Sequence, residues 1–287
     1  MIAVLKRELK TYFLTPTGYI FMGFFLLISG FFFAIGNLFS ANPNYNSMLG
    51  TINFVFMILV PILTMRLLAE ESRQKTDQLL LTSPLSVTEI VLGKYLAAVA
   101  VFLLTVAVTC IYPIILSFFG SIAVSEIVGG YLGFILLGSS FIAVGLFISS
   151  LTENQVVAAV VTFSALLLFW IIDVLQQVLP NDTTSGIIFT GLIVAGVVFL
   201  IYRSIKNYFL TVISALVGIG GITAGYFINK QIYDGIILRF IDWISLLKRF
   251  EPFWRGNLSL SPIVFFLSFI ALFIFLTIQM IEKRRWN

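Results

Sequence analysis

Long apolar runs, most of them about twenty residues and nearly free of charge, recur along this chain, and they constrain its fold more than any single motif. Coiled as a helix rising about 1.5 Å per residue, such a run reaches across the roughly 30 Å of hydrocarbon in a bilayer. The runs are 17–39, 49–69, 95–118, 128–150, 156–179, 187–202, 208–228 and 262–281. The run 187–202 is short, which suits a tilted or re-entrant piece. Of the 287 residues, 60% are hydrophobic and 10% charged, a balance suited to lipid rather than water. Continuous runs, in place of alternating ten-residue segments, exclude a membrane β-barrel. The first run is read as a retained span, because a cleaved signal peptide has a shorter apolar core. The expectation is an all-α polytopic helical membrane protein of about eight spans, forming one transmembrane domain over 1–287.

Basic residues collect at the ends of these runs, which is a signature of topology and not of nucleic-acid binding. With both termini in the cytoplasm, Lys6, Arg7, Lys10, Arg66, Arg73, Lys75, Lys94, Arg203, Lys206, Lys283, Arg284 and Arg285 lie inside. The other five of the seventeen, Lys230, Arg239, Lys248, Arg249 and Arg255, share the long loop 229–261, where the rule is weaker. An even number of spans agrees with that placement, in the cytoplasmic membrane of the cell. In segment 1–13, Ile2, Leu5, Leu9 and Tyr12 recur at helical spacing, with Lys6, Arg7 and Lys10 off the stripe. This predicts a basic amphipathic helix on an anionic leaflet, ended by Pro16.

The polar stretch 68–95 then falls inside. Residues 76–81 suit a short helix that Pro84 ends, and Ser86-Val87-Thr88-Glu89 has the form of a capping box restarting a helix. Glu70, Glu71, Arg73, Lys75 and Asp77 gather both signs of charge beside Leu79, Leu80 and Leu81. Two readings stand: a protein-docking surface of mixed charge around an apolar centre, and a solvated loop whose leucines touch headgroups.

Other residues carry less. Asp173 lies in an apolar run, where a charge is costly, and is either a pathway or gating residue or a polar contact of Gln176 or Gln177 near the outer end. Gly221 and Gly225, with Gly218 and Gly220, permit close helix approach, within the subunit or across a dimer. Trp243, Phe253 and Trp254 among the charges of 229–261 suggest an amphipathic helix at headgroup level, either an anchor or a cap on the outer side of a pathway. Cys110 reads as inert packing. The chain has no His and no Gly-x-x-x-x-Gly-Lys-Ser/Thr run, and Gly93-Lys94 lacks the rest of that pattern. Neither a Ser–His nor a paired-carboxylate mechanism has its parts, so the chain is not expected to be an enzyme.

Glu70-Glu71-Ser72-Arg73, Thr76, Leu79-Leu80-Leu81-Thr82-Ser83-Pro84-Leu85 and Glu89-Ile90-Val91-Leu92-Gly93-Lys94-Tyr95 resemble the signature of ABC type 2 permeases. The branch they are most similar to is that of the gliding-motility and nitrous-oxide-reductase accessory permeases. Phe253-Trp254-Arg255-Gly256 and Glu282-Lys283-Arg284-Arg285-Trp286 agree. Lys75 stands where the pattern expects Gly, and Gln78 where it expects Glu. The pair of runs within 187–228 looks like an insertion into a six-helix core.

The resemblance implies the transmembrane subunit of an ATP-binding-cassette transporter, an exporter, dimerising with a second permease copy or homologue. In it, 1–16 is an elbow helix and 70–93 the coupling region. Glu70, Glu71, Arg73, Thr76, Leu79, Leu80 and Leu81 then contact separate ABC ATPase subunits, which bind the ATP and Mg, and Glu153 in the link 152–154 makes a smaller contact. This chain itself carries no cofactor or metal, and an extracytoplasmic accessory protein is a further candidate partner. The alternative, an ion-coupled secondary transporter or channel without an ATPase, is expected to show midplane carboxylates and repeats with broken helices. This sequence offers one off-centre Asp173 and no repeat.

Overall fold

The computed structural model of the chain describes residues 1–75, 85–176 and 178–286. Eight of its helical stretches are long and apolar enough to cross a membrane: Pro16–Phe39, Tyr45–Gln74, Val87–Ser117, Val124–Leu151, Gln155–Leu175, Thr183–Ile205, Tyr208–Ile228 and Leu260–Arg284. These are spans 1 to 8, matching the number of runs in the sequence. No strand occurs among the described residues. The chain divides into two compact units, Met1–Trp170 with Leu246–Asn287, and Ile171–Ser245.

The first unit begins with α1 (Ile2–Leu14), which turns into α2 (Pro16–Phe33) through Thr15 in extended conformation. Pro16 dictates this, since the residue before a proline is driven out of the helical region while proline itself suits the first helical turn. Gly18 permits the tight corner: a Cβ there would lie 2.5 Å from the Tyr12 carbonyl oxygen. Span 1 ends in a π-helical turn, Ala34–Phe39, where Asn37 donates to the carbonyls of Asn42 (2.9 Å) and Asn44 (3.1 Å) and closes the following loop.

Span 2 is broken into α3 (Tyr45–Thr51), a 3₁₀ turn at Ile52–Phe54, α4 (Val55–Thr64) and α5 (Ala69–Gln74). A proline within a helix is a common cause of a kink, yet Pro61 sits inside α4 and the break comes at 65–68. Span 3 comprises α6 (Val87–Thr109) and α7 (Ile111–Ser117). The predicted capping box is present: Glu89 N–H donates to Ser86 Oγ (3.2 Å), and Ser86 N–H donates to Glu89 Oε2 (3.3 Å). Pro113 has no N–H to bond Thr109 and its ring crowds that carbonyl, and the helix is interrupted at Cys110. Span 4 is α8 (Val124–Leu151), and α9 (Gln155–Leu175) follows the short link predicted at 152–154.

The core of this unit is aromatic. Phe56 of α4 meets Phe25, Phe102, Phe134 and Phe141 at ring-centroid distances of 6.3, 5.5, 4.7 and 5.9 Å. Gly138 makes room for them, since a Cβ there would fall 2.5 Å from Phe102 Cζ. The unit closes with α13 (Leu246–Trp254) and α14 (Leu260–Trp286). Phe253 is a correction to the headgroup-level reading of 229–261: it is fully buried, its ring lying where a Gly133 Cβ would be. The missing side chain at Gly133 draws the α13 aromatic into the core, while Trp254 stays at its edge.

In the second unit, α10 (Thr183–Ile205) and α11 (Tyr208–Ile228) form the hairpin that the sequence sets apart at 187–228. Gly218 and Gly225 serve close approach, to Val194 and to the Tyr233 hydroxyl, whereas a Cβ on Gly221 would meet nothing within 4 Å. A short amphipathic helix, α12 (Ile236–Ile244), follows, with Trp243 exposed.

Candidate functional site

The chemistry of this chain concentrates where span 2 ends. Residues 65–68 leave the helical ladder, and Ser149 of span 4 takes up the groups that are released. Its hydroxyl accepts from Leu68 N–H and Ala69 N–H, both at 3.1 Å, and donates to the Met65 carbonyl at 3.3 Å. One donor and two lone pairs are thereby used in full. The Leu67 N–H bonds the Thr64 carbonyl, and the Leu63 carbonyl instead accepts from the Tyr12 hydroxyl of α1 at 2.7 Å. Side chains inserted into a helix ladder are an established cause of a sharp bend.

The bend delivers α5 onto α1 and α6, and four charges meet there. Lys94 of α6 is 1% exposed, and its Nζ lies 3.1 Å from Glu8 Oε1 and 2.9 Å from Glu71 Oε1. Arg7 Nη2 donates to the same two oxygens, at 2.7 Å for Glu8 and 2.6 Å for Glu71. Two cations thus face two carboxylates, and such pairing is the condition under which charges persist out of water. Burial pushes the Glu8 carboxyl up, but Lys94 and Arg7 reverse this and hold it below the ordinary carboxylate range.

Gly93 admits this contact, because a Cβ there would come within 2.9 Å of the Val4 side chain. That fit and the Glu8–Lys94 pair turn Val4, Glu8 and Tyr12 inward. The expected apolar stripe is corrected accordingly: Ile2 is exposed, Leu5 and Leu9 are half-buried, and a carboxylate lies at the centre of the buried face.

A second set of bonds holds the same corner. Arg66 grips Glu70 with Nε (2.7 Å) and Nη2 (3.0 Å) and reaches Thr17 of α2 with Nη1 (2.7 Å). Arg284 of α14 donates to Ser72 Oγ at 3.1 Å. Thus α5 is tied to span 1, span 3, span 4 and span 8, as well as to α1. Lys75 ends α5 at φ +55°, a left-handed conformation in which glycine is at ease.

Among the residues singled out from the sequence, the structure brings Glu70 and Glu71 together on α5, each in ion pairs within the chain, and leaves Arg73 exposed on the last turn. Thr76, Leu79, Leu80 and Leu81, with the helix expected at 76–81 and its end at Pro84, lie outside the described residues. Glu153 is exposed in its link, where Asn154 caps α9 by accepting from Val156 N–H at 2.9 Å. Asp173 accepts from the Ser245 hydroxyl, a partner absent from the sequence reading, and Gln177 is outside the described residues. Sequence reasoning also missed Arg7, Glu8, Arg66 and Lys94 as one site. The available signal was Glu8, an acid in an otherwise basic helix, and Lys94, at the very start of the apolar run 95–118.

No group of three metal-ligating side chains occurs among the described residues. What the arrangement does is tie the end of span 2 to α1 and to the start of span 3. The family model described as ABC-2 family transporter protein matches residues 36–248 of the 287. The matched stretch contains Glu70, Glu71, Lys94 and Ser149, while Arg7 and Glu8 precede it. No curated protein matches the chain.

Proposed function

The chain belongs to the ABC-2 family of transporter proteins, and on that premise we propose that it is the membrane half of an ATP-driven exporter whose energy comes from separate ATPase subunits gripping residues 70–93 from the cytoplasm. A second permease copy completes the complex, and both termini lie inside, as the distribution of the seventeen basic residues favours. Arg73, Thr76, Leu79, Leu80, Leu81 and Glu153 supply the contact with the ATPase. Glu70 and Glu71 hold the root of the segment and pass its displacement on.

One observation carries this reading: Lys94, Glu8, Glu71 and Arg7 join the base of the inner segment to α1 and span 3 through charge-assisted bonds of 2.6 to 3.1 Å. A push on the segment is then delivered to helices in the membrane instead of being lost in a loose loop. Two packed states of such helices, selected by nucleotide on the partner, are what transport requires.

The test is purification of the intact chain from its native membrane with mass spectrometry of what accompanies it. The reading expects a subunit carrying a Walker nucleotide-binding sequence, retained by the wild type and lost or weakened in Arg73→Glu. Recovery of the folded wild-type chain with no such subunit contradicts it.

A further inference from the structure

The face of α1 turned away from the charge cluster leads to an unassigned groove. At about 100° per residue, positions two beyond Val4, Glu8 and Tyr12 fall on the opposite side of the helix. They are Lys6, Lys10 and Leu14, and all three are exposed. Neither lysine has an acidic partner among the described residues, in contrast to Arg7 beside them. Leu14, one turn beyond Lys10, begins an apolar groove of about 680 Å³ that continues along span 1 past Tyr19, Ile20 and Phe24 to Leu27. Gly23 keeps it open, since a Cβ there would meet nothing within 4 Å.

The dimensions and charge specify the occupant. From Pro16 to Leu27 the helix rises about 16 Å, about half the hydrocarbon thickness and so the depth of one leaflet. One and two turns of α1 before its Leu14 end stand the ammonium groups of Lys10 and Lys6, and the groove itself offers almost only carbon. We propose that this groove holds one anionic glycerophospholipid of the adjoining leaflet, its phosphate at Lys6 and Lys10 and an acyl chain along Tyr19, Phe24 and Leu27. The site is independent of the transport reading, since it requires neither the ATPase nor the cluster around Lys94.

Native mass spectrometry of the full chain, equilibrated with equal phosphatidylglycerol and phosphatidylcholine, tests it. The wild type should retain one phosphatidylglycerol in preference to phosphatidylcholine. Each lysine near an anionic headgroup is worth about a fivefold change, so Lys6→Gln with Lys10→Gln should lower that preference about twenty-five-fold at an unchanged unfolding temperature. Gly23→Leu, which fills the slot, should reduce retention of both lipids. Equal retention of the two lipids by the wild type, or an undiminished preference in the double variant, overturns the site. So does quantitative disulfide formation between two chains carrying Ile20→Cys, which would put a second copy in the groove.

Discussion

Lys94 Nζ lies 2.9 Å from Glu71 Oε1 and is almost wholly withdrawn from solvent, so the first helix of span 3 is bonded to the last turn of span 2 by a buried ion pair. The two members of that pair are not equivalent. Without Glu71, Lys94 still has Glu8; without Lys94, the Glu8 carboxylate is left with Arg7, which is half exposed. Lys94→Met is therefore expected to cost about 3–5 kcal/mol, the usual penalty for stripping one side of a buried pair. Glu71→Gln should cost far less. The double variant should be more stable than Lys94→Met alone, which unfolding of all four proteins in one detergent will measure.

The same cluster makes stability depend on pH. The folded Glu8 carboxyl is held below its ordinary value, so the unfolded chain takes up this proton at a higher pH than the folded one. Its contribution is complete above the ordinary carboxylate pKa of about 4.3 and is lost as pH falls through the lower folded value. Unfolding temperature followed downward from pH 6 should show that acid limb, and Glu8→Gln should flatten it.

Ser149 is the other fixture of the corner. Ser149→Ala leaves the Leu68 and Ala69 N–H groups without their acceptor in a buried position. About 1–3 kcal/mol is the expected loss for each orphaned group. Ser149→Thr keeps the hydroxyl and is the control that separates hydrogen bonding from packing volume.

How much of this was legible in the sequence differs by level. Span number follows from run length alone, and the helix start at Ser86 follows from a four-residue pattern that the backbone honours. The bend at 65–68 was not legible, because its cause is Ser149, eighty residues on and indistinguishable in sequence from the adjacent Ser150. Glu8 and Lys94 look like stray charges until α1 is folded against α6, and their 86-residue separation offers no local period to read. Glu71 stands out in the sequence by its charge, but its pairing with Lys94 is visible only in the geometry. The burial of Phe253 is hidden for the same reason: aromatic amphipathicity marks a helix face, but only the absent side chain of Gly133 shows what that face meets.

That last contact gives a paired prediction. Gly133→Ala drives a methyl into the Phe253 ring, and about 1–3 kcal/mol of destabilisation is expected from such overpacking. Gly191→Ala, where a Cβ meets nothing within 4 Å, should be neutral or slightly stabilising through helix propensity. Thermal unfolding of the two variants side by side decides it.

The most direct test of the account places a photo-crosslinking residue at Arg73, exposed on α5, and separately at Pro43, in the loop that the charge distribution puts outside. On illumination of intact native membranes, the account predicts a covalent adduct between position 73 and a nucleotide-binding subunit, and none from position 43. An adduct from position 43, or none from position 73 in a complex that still hydrolyses ATP, would contradict it.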